Sequence, residues 1–137
     1  MEKVVPIDEE YEYEGKIAIC QTDLEGNITY VNKKFCEISG YEASELIGQN
    51  INILKHEKMP ELVQEKVWKT IQDGQSWHGL YINLRKDGRY YWVDTEITQV
   101  KDDDGNIIGY ISVGKPASPQ DIQETKEQYE KMLDVQW

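Results

Sequence analysis

No run of about 18 or more apolar residues occurs in this 137-residue chain, so nothing in it has the length and polarity of a transmembrane helix, and no direct membrane insertion is expected. The first ten residues, Met1 to Glu10, carry no basic region followed by an apolar stretch and do not read as a secretory leader. Cysteine is scarce. Cys20 and Cys36 fall in strand-like and helix-like segments without metal-type spacing, the usage expected of buried thiols in a cytoplasmic protein. Excess positive charge is also absent: the net charge is −11, which disfavours nucleic acid, because a phosphate backbone needs a basic face. There is no glycine-rich phosphate loop, no ordered serine, histidine and carboxylate set, and no paired metal motif. The acidic run Asp102-Asp103-Asp104 lacks the ligand spacing of a calcium loop and reads as a solvated turn. A binding module is expected, not an enzyme.

What is present is concentrated in the second half. Trp77-His78-Gly79 precedes Asn83-Leu84-Arg85-Lys86-Asp87-Gly88-Arg89-Tyr90-Tyr91-Trp92, which reads as two aromatic-rich strands joined by a Lys-Asp-Gly turn. Asn83 places an amide, donor and acceptor at once, on the face a core would cover. Such a group suits the edge of a planar heterocycle, or it is satisfied by neighbouring backbone. Charge is uneven as well. Residues 55–89 hold seven basic side chains (Lys55, Lys58, Lys66, Lys69, Arg85, Lys86, Arg89) against five acidic ones, and the rest of the chain holds eight against 21. An anionic small ligand would sit against this middle, unless these are ordinary solvated charges.

Along the chain, residues 1–16 read as an acidic N-terminal cap or arm carrying Tyr11 and Tyr13. Strands at 17–23 and 28–31 flank the turn Leu24-Glu25-Gly26-Asn27. Asn32 can cap a helix from Lys33 that turns Phe35 and Ile38 inward and ends at Gly40. A short helical turn runs through Glu42 to Leu46, then a loop with one turn of helix through 49–59. Pro60 opens a helix with Leu62, Val63, Val67, Trp68 and Ile71 at inward spacing, closed by Asp73-Gly74. Strands follow at 77–86, 89–100 and 107–114. Ser118-Pro119-Gln120-Asp121 begins a C-terminal helix over 116–137 with a stripe of Ile122, Tyr129, Met132 and Leu133. The expected class is α+β, a five-stranded antiparallel sheet with helices on one face, spanning residues 17–115.

The ordered set Asp23-Leu24-Glu25-Gly26-Asn27-Ile28-Thr29-Tyr30-Val31-Asn32, Phe35, Ser39-Gly40-Tyr41, Glu45-Leu46-Ile47-Gly48, Lys86-Asp87-Gly88 and Trp92-Val93 resembles a PAS domain (Per-Arnt-Sim sensor module). More narrowly, Asn52-Ile53-Leu54-Lys55-His56-Glu57-Lys58-Met59-Pro60 with Trp77-His78-Gly79 and Asn83 is similar to the FAD-binding PAS domains of bacterial aerotaxis receptors. Flavin PAS domains of nitrogen-fixation and methane-oxidation regulators share the Trp-x-Gly-x-x-x-Asn element. In light-oxygen-voltage photoreceptors, also PAS domains, a cysteine forms an adduct with the flavin. Here Ile51 stands at that position in Gly48-Gln49-Asn50-Ile51-Asn52-Ile53, and without a thiolate no adduct can form. Val93 likewise replaces a polar residue those photoreceptors use. Lys55-His56 stands where the aerotaxis family usually has Arg-His, which keeps the charge and loses the planar fork.

The resemblance implies a cytoplasmic redox sensor that holds FAD non-covalently and signals to a partner of methyl-accepting chemotaxis type or to a second copy in a homodimer. Asn83 would meet the pyrimidine edge of the flavin. Trp77 could stack on a ring or sit at the rim of a core, a well-stacked ring gaining about 0.5–1.5 kcal/mol beyond area burial. Lys55 and His56 could meet pyrophosphate or ribose, with Asn52 in the same matching run. Trp68 could face ligand or core, and Asn32 could reach the cofactor or only cap its helix. Two other readings stay open: a cofactor-free dimerisation or docking module, and a haem gas sensor with His56 as axial ligand.

Overall fold

The structure, a computed structural model, describes residues 3–136, with only the backbone at positions 135 and 136. Strands β1 (Ala18–Thr22) and β2 (Ile28–Val31) form the first hairpin. Helices α1 (Lys33–Ser39) and α2 (Ala43–Leu46), a single 3-10 turn at Ile51–Leu54 and helix α3 (Glu61–Gln72) follow. Strands β3 (Trp77–Leu84), β4 (Tyr90–Lys101) and β5 (Ile107–Lys115) complete a five-stranded sheet of order β2-β1-β5-β4-β3, and helix α4 (Pro119–Gln136) ends it. All four ladders are antiparallel.

Local chemistry sets these boundaries. In the first turn, an Asp23 carboxylate oxygen accepts from the backbone N–H groups of Glu25 and Asn27, both at 2.9 Å. The chain then reverses through Gly26 at φ 86°, a conformation open to glycine at little cost. Asn32 accepts from Phe35 N–H at 2.9 Å and so caps α1, and Gly40 closes that helix in the left-handed region. Ser118 caps α4 by accepting from Asp121 N–H at 3.1 Å.

Strand alternation divides the side chains between two faces. In the β3–β4 register Trp77 lies opposite Ile97, Gly79 opposite Thr95, Tyr81 opposite Val93 and Asn83 opposite Tyr91. These odd positions face α1, the 3-10 turn and α3. The even positions, including Leu80, Ile82 and Trp92, face the other way.

That second face is where α4 lies. Tyr129 is buried, its ring stacks on Trp92 at 6.2 Å between centroids, and its hydroxyl donates to the Leu80 carbonyl at 2.7 Å. Ile122 and Met132 pack against the same cluster. The apolar stripe of α4 is therefore largely spent inside the domain, because the apolar outer face of β3 and β4 needs cover. Leu62 also departs from expectation, at 52% exposed: it precedes the buried ridge of Val63, Val67 and Ile71 by one residue and points to solvent. Of the two cysteines, Cys20 is buried and Cys36 half-buried.

The N-terminal segment is anchored. Tyr11 N–H donates to the Tyr90 carbonyl at 2.7 Å, and Tyr90 N–H donates to the Glu9 carbonyl at 3.1 Å. Tyr13 is buried, with its hydroxyl donating to the carbonyls of Lys16 and Gly114. The arm crosses Gly88 so closely that a Cβ there would lie 2.6 Å from the Val5 carbonyl oxygen.

Tyr129→Phe should lower unfolding free energy by about 1 kcal/mol by leaving the Leu80 carbonyl without its donor. Tyr129→Ala, which also opens a cavity on Trp92, should cost about 3–5 kcal/mol. Urea unfolding followed by tryptophan fluorescence measures both, and equal costs would mean that the aromatic ring contributes nothing.

Candidate functional site

Between the odd-numbered face of the sheet and the helices lies a cavity of about 120 Å³, about ten times the ~10–15 Å³ that one water requires. Its walls are apolar: Ala18 and Cys20 from β1, Phe35 and Ile38 from α1, Ile51 and Leu54 from the 3-10 turn, Val67 and Ile71 from α3, and Val93 and Ile97 from β4. Gly114 on β5 keeps one wall flat, since a Cβ there would lie 2.6 Å from the Val93 side chain.

Polar groups enter at two places. In the interior are Asn83, Tyr81, Tyr91, Thr95 and Ser112, and on the helical side Asn52, Lys55 and Gln64. Asn83 is held by the β4 ladder on one side and by an isolated bridge to Lys55 on the other. Its side chain enters the cavity, as the alternation of β3 predicts. Directly across the ladder is Tyr91, 0% exposed, whose hydroxyl has no hydrogen-bond partner among the described residues. Leaving a buried hydroxyl unpaired costs about 1–3 kcal/mol. Burial raises the Tyr91 pKa and the adjacent Asn83 amide pulls it down, so the two groups interact without meeting hydrogen-bond geometry. Tyr81 is likewise pushed up by burial, and burial raises the Cys20 thiol to about 12, which leaves it an inert neutral wall group.

A flat heteroaromatic ring fits this donor set. The apolar walls take its faces, while the amide and the unsatisfied hydroxyl lie where its polar edge would come. Trp68 borders the cavity from α3, edge-on to Tyr110 at 5.8 Å and against Gly26, where a Cβ would be 3.1 Å from the indole. Lys55 ion-pairs with Glu61.

Four of the seven residues expected from sequence therefore line the cavity: Asn83, Trp68, Asn52 and Lys55. Three do not. The Asn32 side chain accepts from Phe35 N–H and from Ile19 N–H, and its amide donates to the Ile17 carbonyl, so its hydrogen-bonding capacity goes to tying α1 to β1. Trp77 folds back over Gly79, where a Cβ would lie 2.6 Å from the indole, and meets Tyr81 edge-on at 5.4 Å. His56 is buried behind Lys55, its Nδ1 accepting from Lys58 N–H at 3.0 Å and its ring against Tyr90 at 5.9 Å. An axial haem ligand would have to face the cavity, and His56 does not border it. His78 points outward and meets the Asp94 carboxylate at 2.6 Å.

The basic middle is largely neutralised within the domain. Lys58 pairs with Asp8, Arg85 and Arg89 with Asp87, and Lys86 with Glu45. Of the seven cations, only Lys55 borders the cavity.

Sequence reasoning missed Tyr91, Tyr81, Thr95 and Ser112. The available signal was the hairpin: once Lys86-Asp87-Gly88 is taken as its tip, Tyr91 falls opposite Asn83.

Burial lowers the His56 pKa, so the folded state favours the neutral ring and the unfolded chain, near the ordinary value of about 6.5, takes up the proton first. Stability is therefore complete above about pH 6.5 and falls as pH drops below it, by at most about 1.4 kcal/mol per pH unit from this group. Urea unfolding at about pH 7.5 and 5.5 should show this loss in the natural protein and a smaller one in His56→Gln; identical losses would show that His56 does not cause it.

The geometry has counterparts in known proteins. The chain is 34% identical over 105 residues to a nitrogen fixation regulatory protein of Klebsiella pneumoniae, covering 77% of this chain and 21% of the relative. It is 35% identical over 112 residues to an aerotaxis receptor of Escherichia coli, covering 81% and 22%. The chain thus spans about a fifth of the length of these relatives. A solved light-oxygen-voltage domain whose mechanism was probed with a flavin analogue superposes with a TM-score of 0.73 at 26% identity, over 83% of this chain and 87% of that one. The model of the PAS fold family matches residues 16–117, and the chain belongs to the PAS family.

Proposed function

We propose that this chain is a cytoplasmic redox-sensing PAS domain that holds FAD non-covalently and signals, in the manner of energy taxis, to a transducer of methyl-accepting chemotaxis type. One observation carries the reading: an apolar cavity between sheet and helices contains, side by side, the Asn83 amide and the Tyr91 hydroxyl, which is unsatisfied among the described residues. The relation to an aerotaxis receptor and the likeness to a domain studied with a flavin analogue support it.

In this reading the cavity would take the flavin ring, and Asn83 would meet its pyrimidine edge. Asn52 and Lys55 take ribose and phosphate oxygens at the helical side, and Trp68 offers an apolar plane. FAD supplies a redox couple whose reduction adds a proton or charge at the central ring system and so changes what the pyrimidine edge offers. Asn83 responds, because turning its amide exchanges donor for acceptor. Strand β3 carries the change outward, since three residues from Asn83 the Leu80 carbonyl accepts from Tyr129 on α4. The other end of the same hairpin holds the N-terminal arm at Tyr90. No adduct step enters, because Ile51 borders the cavity where a thiol would be required.

Purified protein should show the absorbance bands of oxidised flavin and release FAD, identified by mass, on heat denaturation. Asn83→Ala should weaken FAD binding about tenfold, the equivalent of ~1.4 kcal/mol. Colourless protein that takes up no FAD would leave a docking module, and a Soret band would point to haem. Full occupancy in Asn83→Ala would remove that residue from the site.

A further inference from the structure

Tyr91 heads the fully buried large side chains of the domain, and its hydroxyl is unsatisfied among the described residues. The position is not a casual one. Asn83 is its partner across the ladder, both side chains border the cavity, and the amide lies near enough to perturb the phenol. The other interior polar groups are placed differently. Ser112 Oγ donates to the Cys20 carbonyl at 3.4 Å, Tyr81 lies beside Trp77, and Thr95 faces Gly79 across the ladder.

A phenol hydroxyl has one proton to give and lone pairs to receive with, whereas an amide has a purely accepting end and a purely donating one. The hydroxyl can therefore pair with either end. If it donates to Asn83 Oδ1, the amide NH₂ turns toward the cavity and meets an acceptor there. If it accepts from Nδ2, Oδ1 turns toward the cavity and meets a donor. Among the described residues no other side chain hydrogen-bonds the Asn83 amide, so the hydroxyl is the sheet-side group that can distinguish the two orientations.

We propose that Tyr91 is a positioning residue whose hydroxyl selects which end of the Asn83 amide faces the cavity, the two groups turning together when a bound ring changes the donors and acceptors on its edge. This deepens the function proposed above and rests on it for the ligand; the coupling of the two side chains is a property of the chain itself.

The test uses the full chain as natural protein, Tyr91→Phe, Asn83→Ala and the double variant. Tyr91→Phe removes only a hydroxyl and keeps the shape of the core. In ligand-free protein, Tyr91→Phe should move the side-chain amide cross-peaks of Asn83 in a ¹H–¹⁵N spectrum and leave those of Asn52 in place. With FAD as probe, Tyr91→Phe should weaken binding about 3- to 10-fold when Asn83 is present, the size of one hydrogen bond. On the Asn83→Ala background the same change should be less than about 2-fold. Unmoved Asn83 peaks, or equal losses on both backgrounds, would overturn the proposal. Natural protein that binds no FAD would defeat the sensor reading, while the amide cross-peaks would still decide whether the pair is coupled.

Discussion

The guanidinium of Arg85 is the joint on which the site depends. It is 8% exposed and donates to the carbonyls of Glu37 and Ile38 at 3.0 and 2.7 Å. Those carbonyls lie in the last turn of α1, where helix carbonyls lack intrahelical partners and the helix dipole favours a cation. A buried charge costs several kcal/mol unless its donors are met. Here Asp87 accepts from Nε, and the Tyr11 ring lies over the plane at 3.8 Å. Gly40 makes the approach feasible, because a Cβ there would lie 3.3 Å from the guanidinium. One side chain thus fastens the β3–β4 hairpin to α1, and the arm is laid across the same point. Asn83, two residues upstream, is thereby fixed between a helix end and the sheet.

With the hairpin tied there and α3 resting against the first turn through Trp68 and Gly26, the two layers are joined near opposite ends. The space between them is lined by side chains too short to fill it: Ala18, Gly114, Ser112 and Val93 on the sheet. Small residues at these sheet positions turn a core into a receptacle. The polar groups inside it would be a liability in a filled core, where an amide and a hydroxyl of imperfect geometry only cost free energy.

Most of the fold was legible in sequence because it is written locally. Asn32, Gly40, Asp23-x-x-x-Asn27, Pro60 and Ser118 each act on backbone within a few residues, and strand alternation alone turned Asn83 inward. The site was less legible because its members meet across ladders and around turns. Tyr91 is a cavity residue only through its register with Asn83. Lys55 and His56 are neighbours in sequence, yet backbone direction sends one to the cavity and the other beneath Tyr90. Trp77 shows a different limit: the glycine two residues on, which marks the motif, is also what lets the indole lie back along its own strand. The basic stretch misled for a third reason, since charge counted along a chain does not reveal that most of these cations are already paired.

The magnitudes limit how such a domain can signal. A rearranged hydrogen bond at one amide changes free energy by about 0.5–1.5 kcal/mol, which moves a two-state equilibrium about tenfold at most. Driving it from 1:99 to 99:1 takes about 5.5 kcal/mol. The interior amide therefore cannot throw a strongly biased switch unaided; the outer elements must already be close to balance. The contacts on the outer face fit that requirement. Helix α4 is fixed to the sheet by one buried tyrosine, one carbonyl and a few half-buried apolar side chains, and most of its remaining surface is charged. The arm adds backbone hydrogen bonds at Gly88 and Tyr90, the Tyr13 hydroxyl on the Gly114 carbonyl and the Tyr11 ring over Arg85. The Tyr129 contact and the arm's bonds at Tyr90 sit on the β3–β4 hairpin that also presents Asn83, while Tyr13 holds the arm to β5, so a small displacement of this one hairpin bears on the cavity, the arm and the last helix together.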